Sequence, residues 1–251
     1  MYTRVKTKDE IKAMRKAGII CAEVLAYLKH TVKAGMSTKE LADIAAMKIK
    51  EKGGFPAFLG YQGFPETLCI SLNEEVVHGI PTKDKIIKQG DIASFDMGVI
   101  YGGMVVDSAI SVLVESSDVK KRNLIRATRD SLSSGLRVVK DGCKTGDIGA
   151  AIEKTLKENK LGIVRDLVGH GVGHTVHEDP NIPNFGQPGT GAELKAGMTV
   201  AIEPMATVNG EAVFVDSDKW TVKTADNSLS AHFEQTILIK QNGYDVLTPF
   251  L

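Results

Sequence analysis

The peptide Val32-Lys33-Ala34-Gly35 returns as Val139-Lys140-Asp141-Gly142, Thr38 as Thr145, and Lys88-Gln89-Gly90 as Lys195-Ala196-Gly197, every pair 107 positions apart. A repeat of this length constrains the fold strongly, because a unit that recurs must fold twice and bury its apolar faces against its copy. At the same offset Asp96 falls on Glu203. Val77-His78 with Pro81 has a counterpart in Val176-His177 with Pro180 at the shorter offset of 99, as if one connection differed in length. Two similar halves are therefore expected, about 1–115 and 116–251, within one unit that spans 1–251.

Each half reads helix, helix, strands. Thr7 and Glu10 form a capping box ahead of Ile11, Met14, Ala17, Cys21, Leu25 and Leu28, and Ser37 and Glu40 form another ahead of Leu41, Ile44, Ala45 and Ile49. In the second half, helical spacing runs from Asn123 to Val139 and from Thr145 to Asn159. Strand patterns cover Ile92 to Ile100, Met104 to Val114, Met198 to Glu203, Ala212 to Val215 and Ala231 to Ile239. Hairpins rather than crossovers link the strands, so the class is α+β.

Asp96 and Asp107 flank the turn Tyr101-Gly102-Gly103 between two apolar strands. A Tyr101-Gly102 loop places the two acids directly opposite each other; a Gly102-Gly103 loop makes them diagonal neighbours on one face. Either register brings like charges together in an apolar setting, which costs several kcal/mol in order of magnitude unless a cation or a proton intervenes. Glu203, ahead of Pro204, and Glu234, in an aromatic and aliphatic run, are further acids in strand patterns, where isolated buried carboxylates are rare. The segment 167–180 concentrates His170, His174 and His177 around Gly169, Gly171 and Gly173. Two Asp, two Glu and one His supply four negative charges and mostly oxygen donors, a set suited to two divalent cations such as Mn, Fe, Co or Zn.

The 31 basic and 31 acidic residues balance, which leaves no electrostatic footprint of a nucleic-acid or membrane-surface binder. Cys21, Cys69 and Cys143 are odd in number and lack metal-type spacing, as suits free thiols in a reducing cytoplasm. The N-terminus lacks the apolar run of a signal peptide, and no stretch has the length of a membrane span.

Five blocks in order, Asn73 to Pro81, Gly169-His170-Gly171-Val172-Gly173, Ala201-Ile202-Glu203-Pro204-Met205, Trp220 to Thr224, and Ser228 to Ala231 with Glu234, resemble the type I methionine aminopeptidases, over essentially the whole chain. The resemblance implies the pita-bread fold: two pseudo-symmetric halves around a curved antiparallel sheet, with helices on the outer face. It is to the short bacterial form, with neither a zinc-binding leader nor the insertion of type II enzymes. The implied reaction is removal of N-terminal methionine from peptides and nascent proteins when the second residue is small. A cytoplasmic monomer that meets the ribosome transiently is expected.

By position, the resemblance implies that Asp96 chelates one metal, His170 and Glu203 the other, and Asp107 and Glu234 bridge them. Glu203 doubles as a proton shuttle, while His78 and His177 hydrogen-bond the substrate amide and the developing oxyanion. The methionine pocket would comprise Phe58, Tyr61, Phe64, Cys69, His78, Val176 and Trp220. Here the chain departs from well-known relatives, which carry Cys at the position of Phe58, Tyr at Phe64, an aromatic at Val176, and often Thr or Ser at Gly98. Bulk is expected to have moved from one wall of the pocket to another. His174 stands at a variable position, where a supporting role is as good a reading as a catalytic one. A proline-directed peptidase sharing the ligands, and a non-enzymatic binding protein of the same fold, are the alternatives.

Overall fold

The computed structural model describes residues 4–251. Helix α1 (Lys8–Thr31) begins at the Thr7–Glu10 capping box and α2 (Thr38–Glu51) at the Ser37–Glu40 box, so both boxes expected from sequence are formed. Helix α3 (Val119–Arg137) starts four residues ahead of the expected point, because Asp118 accepts hydrogen bonds from the N–H groups of Lys120 and Lys121. The charged stretch behind that cap, Lys120-Lys121-Arg122, carries no apolar periodicity to announce a helix. Helix α4 spans Thr145–Glu158.

The central sheet has nine strands: β1 (Phe55–Pro56), β2 (Cys69–Leu72), β3 (Ile92–Tyr101), β4 (Met104–Leu113), β5 (Val168–Gly171), β6 (Glu178–Pro183), β7 (Thr199–Ile202), β8 (Glu234–Ile239) and β9 (Tyr244–Val246). The order is β1-β3-β4-β8-β7-β5-β6, with β2 also paired to β3 and β9 to β8. Every pairing is antiparallel. Two three-stranded sheets flank it, one from Ser230–His232, Met205–Thr207 and Gly162–Ile163, the other from Val213–Val215, Val222–Thr224 and Glu75–Val77.

The repeat is visible in individual hydrogen bonds. Gly35 N–H donates to Ile87 O and Gly142 N–H to Leu194 O, both at 2.8 Å. Thr38 N–H donates to Lys85 O at 2.9 Å and Thr145 N–H to Ala192 O at 3.0 Å. Each second bond repeats the first 107 positions later, as do the isolated bridges Ser37↔Ile86 and Lys144↔Glu193. The two halves therefore anchor α2 and α4 to their sheet in the same way.

Between the halves the backbone ladder is short. Strand β8 pairs with β4 through Glu234↔Ala109 and Gln235↔Ser108. Hydroxyl side chains extend this seam: Ser108 Oγ donates to Glu234 O at 2.8 Å, Asp107 N–H donates to Thr236 Oγ1 at 2.9 Å, and Ser111 Oγ donates to His232 O at 2.9 Å.

The strand expected from Ala231 to Ile239 is interrupted at Phe233, and the one expected from Met198 to Glu203 ends at Ile202. Pro204 has no N–H to contribute to a ladder. At that point both chains step from the central sheet into a flanking one, where Met205↔His232 resumes the pairing.

Candidate metal centre and substrate cavity

The β3–β4 hairpin settles the register. Tyr101 pairs with Met104 across Gly102 and Gly103, whose φ values of +57° and +78° suit glycine in a tight hairpin turn. Asp107 consequently lies opposite Gly98, and Asp96 opposite Ala109. The acids are diagonal neighbours on one face.

Register carries the remaining donors to that face. Residues paired across a sheet point to the same side, as do residues two apart on one strand. Ala109 pairs with Asp96 on one flank and Glu234 on the other, which aligns Asp96, Asp107 and Glu234. His170 pairs with Ala201, two residues before Glu203, and Thr236, two residues after Glu234, also pairs with Ala201. Cys69 joins them through its pairing with Asp96. A cavity of about 140 Å³ opens on this face, with Asp96, Asp107, His170, Glu203 and Glu234 along one side.

These groups are deeply placed: Asp96 is 7 %, Asp107 3 %, His170 5 % and Glu234 2 % exposed. Burial pushes the Asp96 carboxyl up to about 7. Asp107, Glu203 and Glu234 are held well above the usual carboxylate range, first by burial and then by one another's charge and that of Asp96. Burial, with a contribution from His177, lowers His170 to about 3. His170 Nδ1 lies 2.9 Å from Gly171 O, a contact that makes Nδ1 the protonated nitrogen and leaves the Nε2 lone pair facing the cavity. Nε2 stands 3.3 Å from Glu203 Oε1.

The donor set fits a divalent cation. One ligand atom each from Asp107, His170 and Glu234 lie within 4.8 Å of one another. Asp96 Oδ1 and Glu234 Oε1 are buried with no hydrogen-bond partner, an expensive arrangement for an acid oxygen that a positive ion would relieve.

Opposite the acids the cavity is apolar and aromatic. Phe58, Tyr61, Phe64 and Trp220 line it, with Phe64 and Trp220 edge to face at 5.2 Å, while Cys69 lines it from beside Asp96. His78 and His177 also face the cavity, from the two segments that the sequence pairs between halves. His78 is lowered to about 4, by burial and then by His177, and burial lowers His177 too. The His177 ring sits 4.4 Å from that of His170, and its Nδ1 is 3.0 Å from the Tyr61 hydroxyl.

Two features of the pocket wall differ from the expected set. Val176 is buried in the core at 4 % exposure and is not among the side chains lining this cavity, whereas Gln62 is. The room that Phe58 takes is made by Gly98: a Cβ on residue 98 would stand 2.7 Å from Phe58 Cε1 and 2.8 Å from Ala57 Cβ. Phe58 and Gly98 are therefore one exchange of volume, not two independent departures. His174 lies away from the cavity lining and contacts Glu10 Oε1 at 2.8 Å.

His232 was not singled out in the sequence. It is 1 % exposed, its Nε2 lies 3.7 Å from Glu203 Oε2, and burial lowers it to about 3. Its position two residues before Glu234 is the available signal, although the break at Phe233 puts the two in different sheets.

Residues 12–241 match the profile of Metallopeptidase family M24. The chain is 44 % identical over 243 residues to methionine aminopeptidase 1 of Bacillus subtilis, covering 97 % of this chain and 98 % of that one. It is 41 % identical over 249 residues to methionine aminopeptidase of Escherichia coli, covering 99 % and 94 %. The crystal structure of methionine aminopeptidase from Thermotoga maritima superposes with a TM-score of 0.96 at 42 % identity, covering 98 % of this chain and 99 % of that one. Prolidase from Pyrococcus furiosus shares the fold at a TM-score of 0.78 and 24 % identity, over 65 % of its length.

Two expected outcomes follow from the cavity. In the metal-free fold Asp107, Glu203 and Glu234 retain protons that the unfolded chain releases near its ordinary carboxylate values, so their contribution to stability falls as pH rises. The histidines, lowered from 6.5, are neutral in both states above that value and add no slope there. Metal-stripped protein should lose melting temperature as pH rises above about 6.5, where Asp96, pushed up to about 7, still holds part of its proton, and a divalent ion should remove the loss. A flat or rising curve in chelator would contradict the raised carboxyls.

Gly98→Thr should destabilise the fold by about 1–3 kcal/mol, since the new side chain enters the Phe58 ring. Adding Phe58→Cys should recover part of that cost, a coupling that denaturant unfolding of the two single variants and the double variant will measure. Strict additivity would show that Phe58 does not occupy the space Gly98 provides.

Proposed function

Because the chain belongs to metallopeptidase family M24, and within it resembles the methionine aminopeptidases along its whole length, we infer that it removes N-terminal methionine from peptides and nascent proteins whose second residue is small. The observation that carries this reading is one cavity in which buried carboxylates face an aromatic slot.

Asp96, Asp107, His170, Glu203 and Glu234 would hold two divalent ions, drawn from Co, Mn, Fe and Zn. When bound, such ions supply a water of lowered pKa and polarise the scissile carbonyl. Glu203 is suited to move the proton, because its carboxylate lines the cavity and is 13 % exposed. That proton passes from the attacking water through the carboxylate to the departing amine.

The histidines act as neutral donors. With the Tyr61 O–H donating to His177 Nδ1, 3.0 Å away, the His177 Nε2–H would be free to meet the developing oxyanion. His78, held neutral by burial, serves the substrate amide. Phe58, Tyr61, Phe64 and Trp220 enclose the first side chain, which is best an unbranched thioether. The buried Cys69 thiol, its pKa raised well above 9.0, adds soft neutral surface. A charged side chain would be rejected by the cost of desolvation in this slot.

Free, buried thiols at Cys21, Cys69 and Cys143 support work in the cytoplasm, where a monomer would meet nascent chains at the ribosome. No helix among the described residues is long and apolar enough to cross a membrane.

Metal-stripped protein, reloaded ion by ion and assayed on Met-Ala-Ser and Ala-Pro peptides, tests the reading. Release of methionine only after reloading, with Ala-Pro untouched, is expected; the opposite preference would favour a proline-directed peptidase. His177→Ala should lower turnover about 100- to 1,000-fold with metal content unchanged. Loss of an ion in that variant would make His177 a ligand and overturn the assignment of roles.

A further inference from the structure

Between His170 and His177 the chain turns from β5 to β6, and the shape of this turn is held from outside it. Gly171 pairs with Glu178, which closes the base of the loop. Inside, Glu178 Oε1 accepts the backbone N–H groups of His174 at 2.6 Å and Thr175 at 3.1 Å. Its other oxygen, Oε2, meets Lys6 Nζ at 3.1 Å. The two side chains are 0 % and 1 % exposed, so a carboxylate and an ammonium 172 positions apart in the chain share one dry site.

The fit around Lys6 is specific. Its backbone N–H donates to Gly197 O at 2.8 Å, which fixes the strap that carries it. A Cβ on residue 173 would lie 2.4 Å from Lys6 Cε, and Gly173 has a φ of +151°. The last glycine of the Gly169-His170-Gly171-Val172-Gly173 motif thus admits the lysine stem, a need that a turn alone does not explain. On its outer side the loop is tied by His174 to Glu10 at 2.8 Å. At its end Thr175 Oγ1 donates to His177 O at 2.9 Å.

A buried carboxylate that caps two amides holds its loop only while its charge is neutralised. Lys6 has no surface from which to touch a substrate, and besides Arg4 O at 3.4 Å its ammonium meets the Glu178 carboxylate that holds the loop. We propose that Lys6 is a positioning residue for His177, acting through the Glu178 carboxylate to fix the 172–178 loop in the shape that aims the imidazole at the cavity. The proposal rests on the aminopeptidase reading of His177.

The test is a double-mutant cycle between Lys6→Met and His177→Ala, read as kcat on Met-Ala-Ser with bound metal measured alongside. Alone, Lys6→Met should lower kcat about 10-fold with KM and metal content unchanged, the size expected when a supporting partner is removed. In the His177→Ala background the same change should cost less than about 2-fold, because the group that Lys6 positions is already gone. An equal loss in both backgrounds would assign Lys6 a general structural role, and no loss in either would remove it from function; both overturn the proposal.

Should Lys6→Met fail to fold, amide hydrogen exchange in the unsubstituted protein decides. The amides of His174 and Thr175 should exchange at least about 100-fold more slowly than unstructured amides. Exchange at unstructured rates would show that the Glu178 clamp is not formed, whatever the activity. Protected amides in a protein inactive on every peptide would instead count against the aminopeptidase reading and leave the clamp in place.

Discussion

The burial of Asp96, Asp107 and Glu234 side by side, with the part-buried Glu203 beside them, is the constraint on which the rest of this molecule depends. Asp96, Asp107, Glu203 and Glu234 share one sheet face, and apolar burial denies them the water that would screen their charges. An ordinary sheet would expel such a group. This one carries Asp96 and Asp107 on the long β3–β4 hairpin, with its ten register pairs, and sets Glu234 beside them on the neighbouring strand β8. The strain is answered by chemistry: raised pKa values, two oxygens without protein partners, and an imidazole whose free nitrogen faces them. A cation resolves all three at once.

Much of this could be read in the sequence because the signals were periodic or chemically costly. The 107-residue repeat survives as pairs of matching hydrogen bonds, and the two-glycine turn allowed only registers that bring Asp96 and Asp107 together. Strand ends were less legible. Nothing in the apolar run 231–239 announces the step at Phe233, because the cause lies in the partner strand, at Pro204. The cap at Asp118 was obscured by a charged helix start.

The substrate side was harder to read than the metal side. Ligands are placed by register, which sequence patterns constrain, whereas a pocket wall is placed by whatever fills the neighbouring volume. Gly98 and Phe58 lie 40 positions apart, and only their packing shows that one makes room for the other. Val176 was grouped with the wall, yet it packs into the core. His232 carries no motif, but its strand position leaves it beside Glu203.

The seam between the halves bears on the mechanics of the whole chain. Only two backbone register pairs join β4 to β8, and serine and threonine hydroxyls stitch the rest. Asp107 stands on one lip of that seam and Glu234 on the other. An ion gripped by both would act as a rivet across this short joint, adding a central link between halves that also meet through the pairing of Val222–Thr224 with Glu75–Val77 and through the buried Lys6–Glu178 pair. Ion occupancy would then bear on how firmly the middle of the shell holds together.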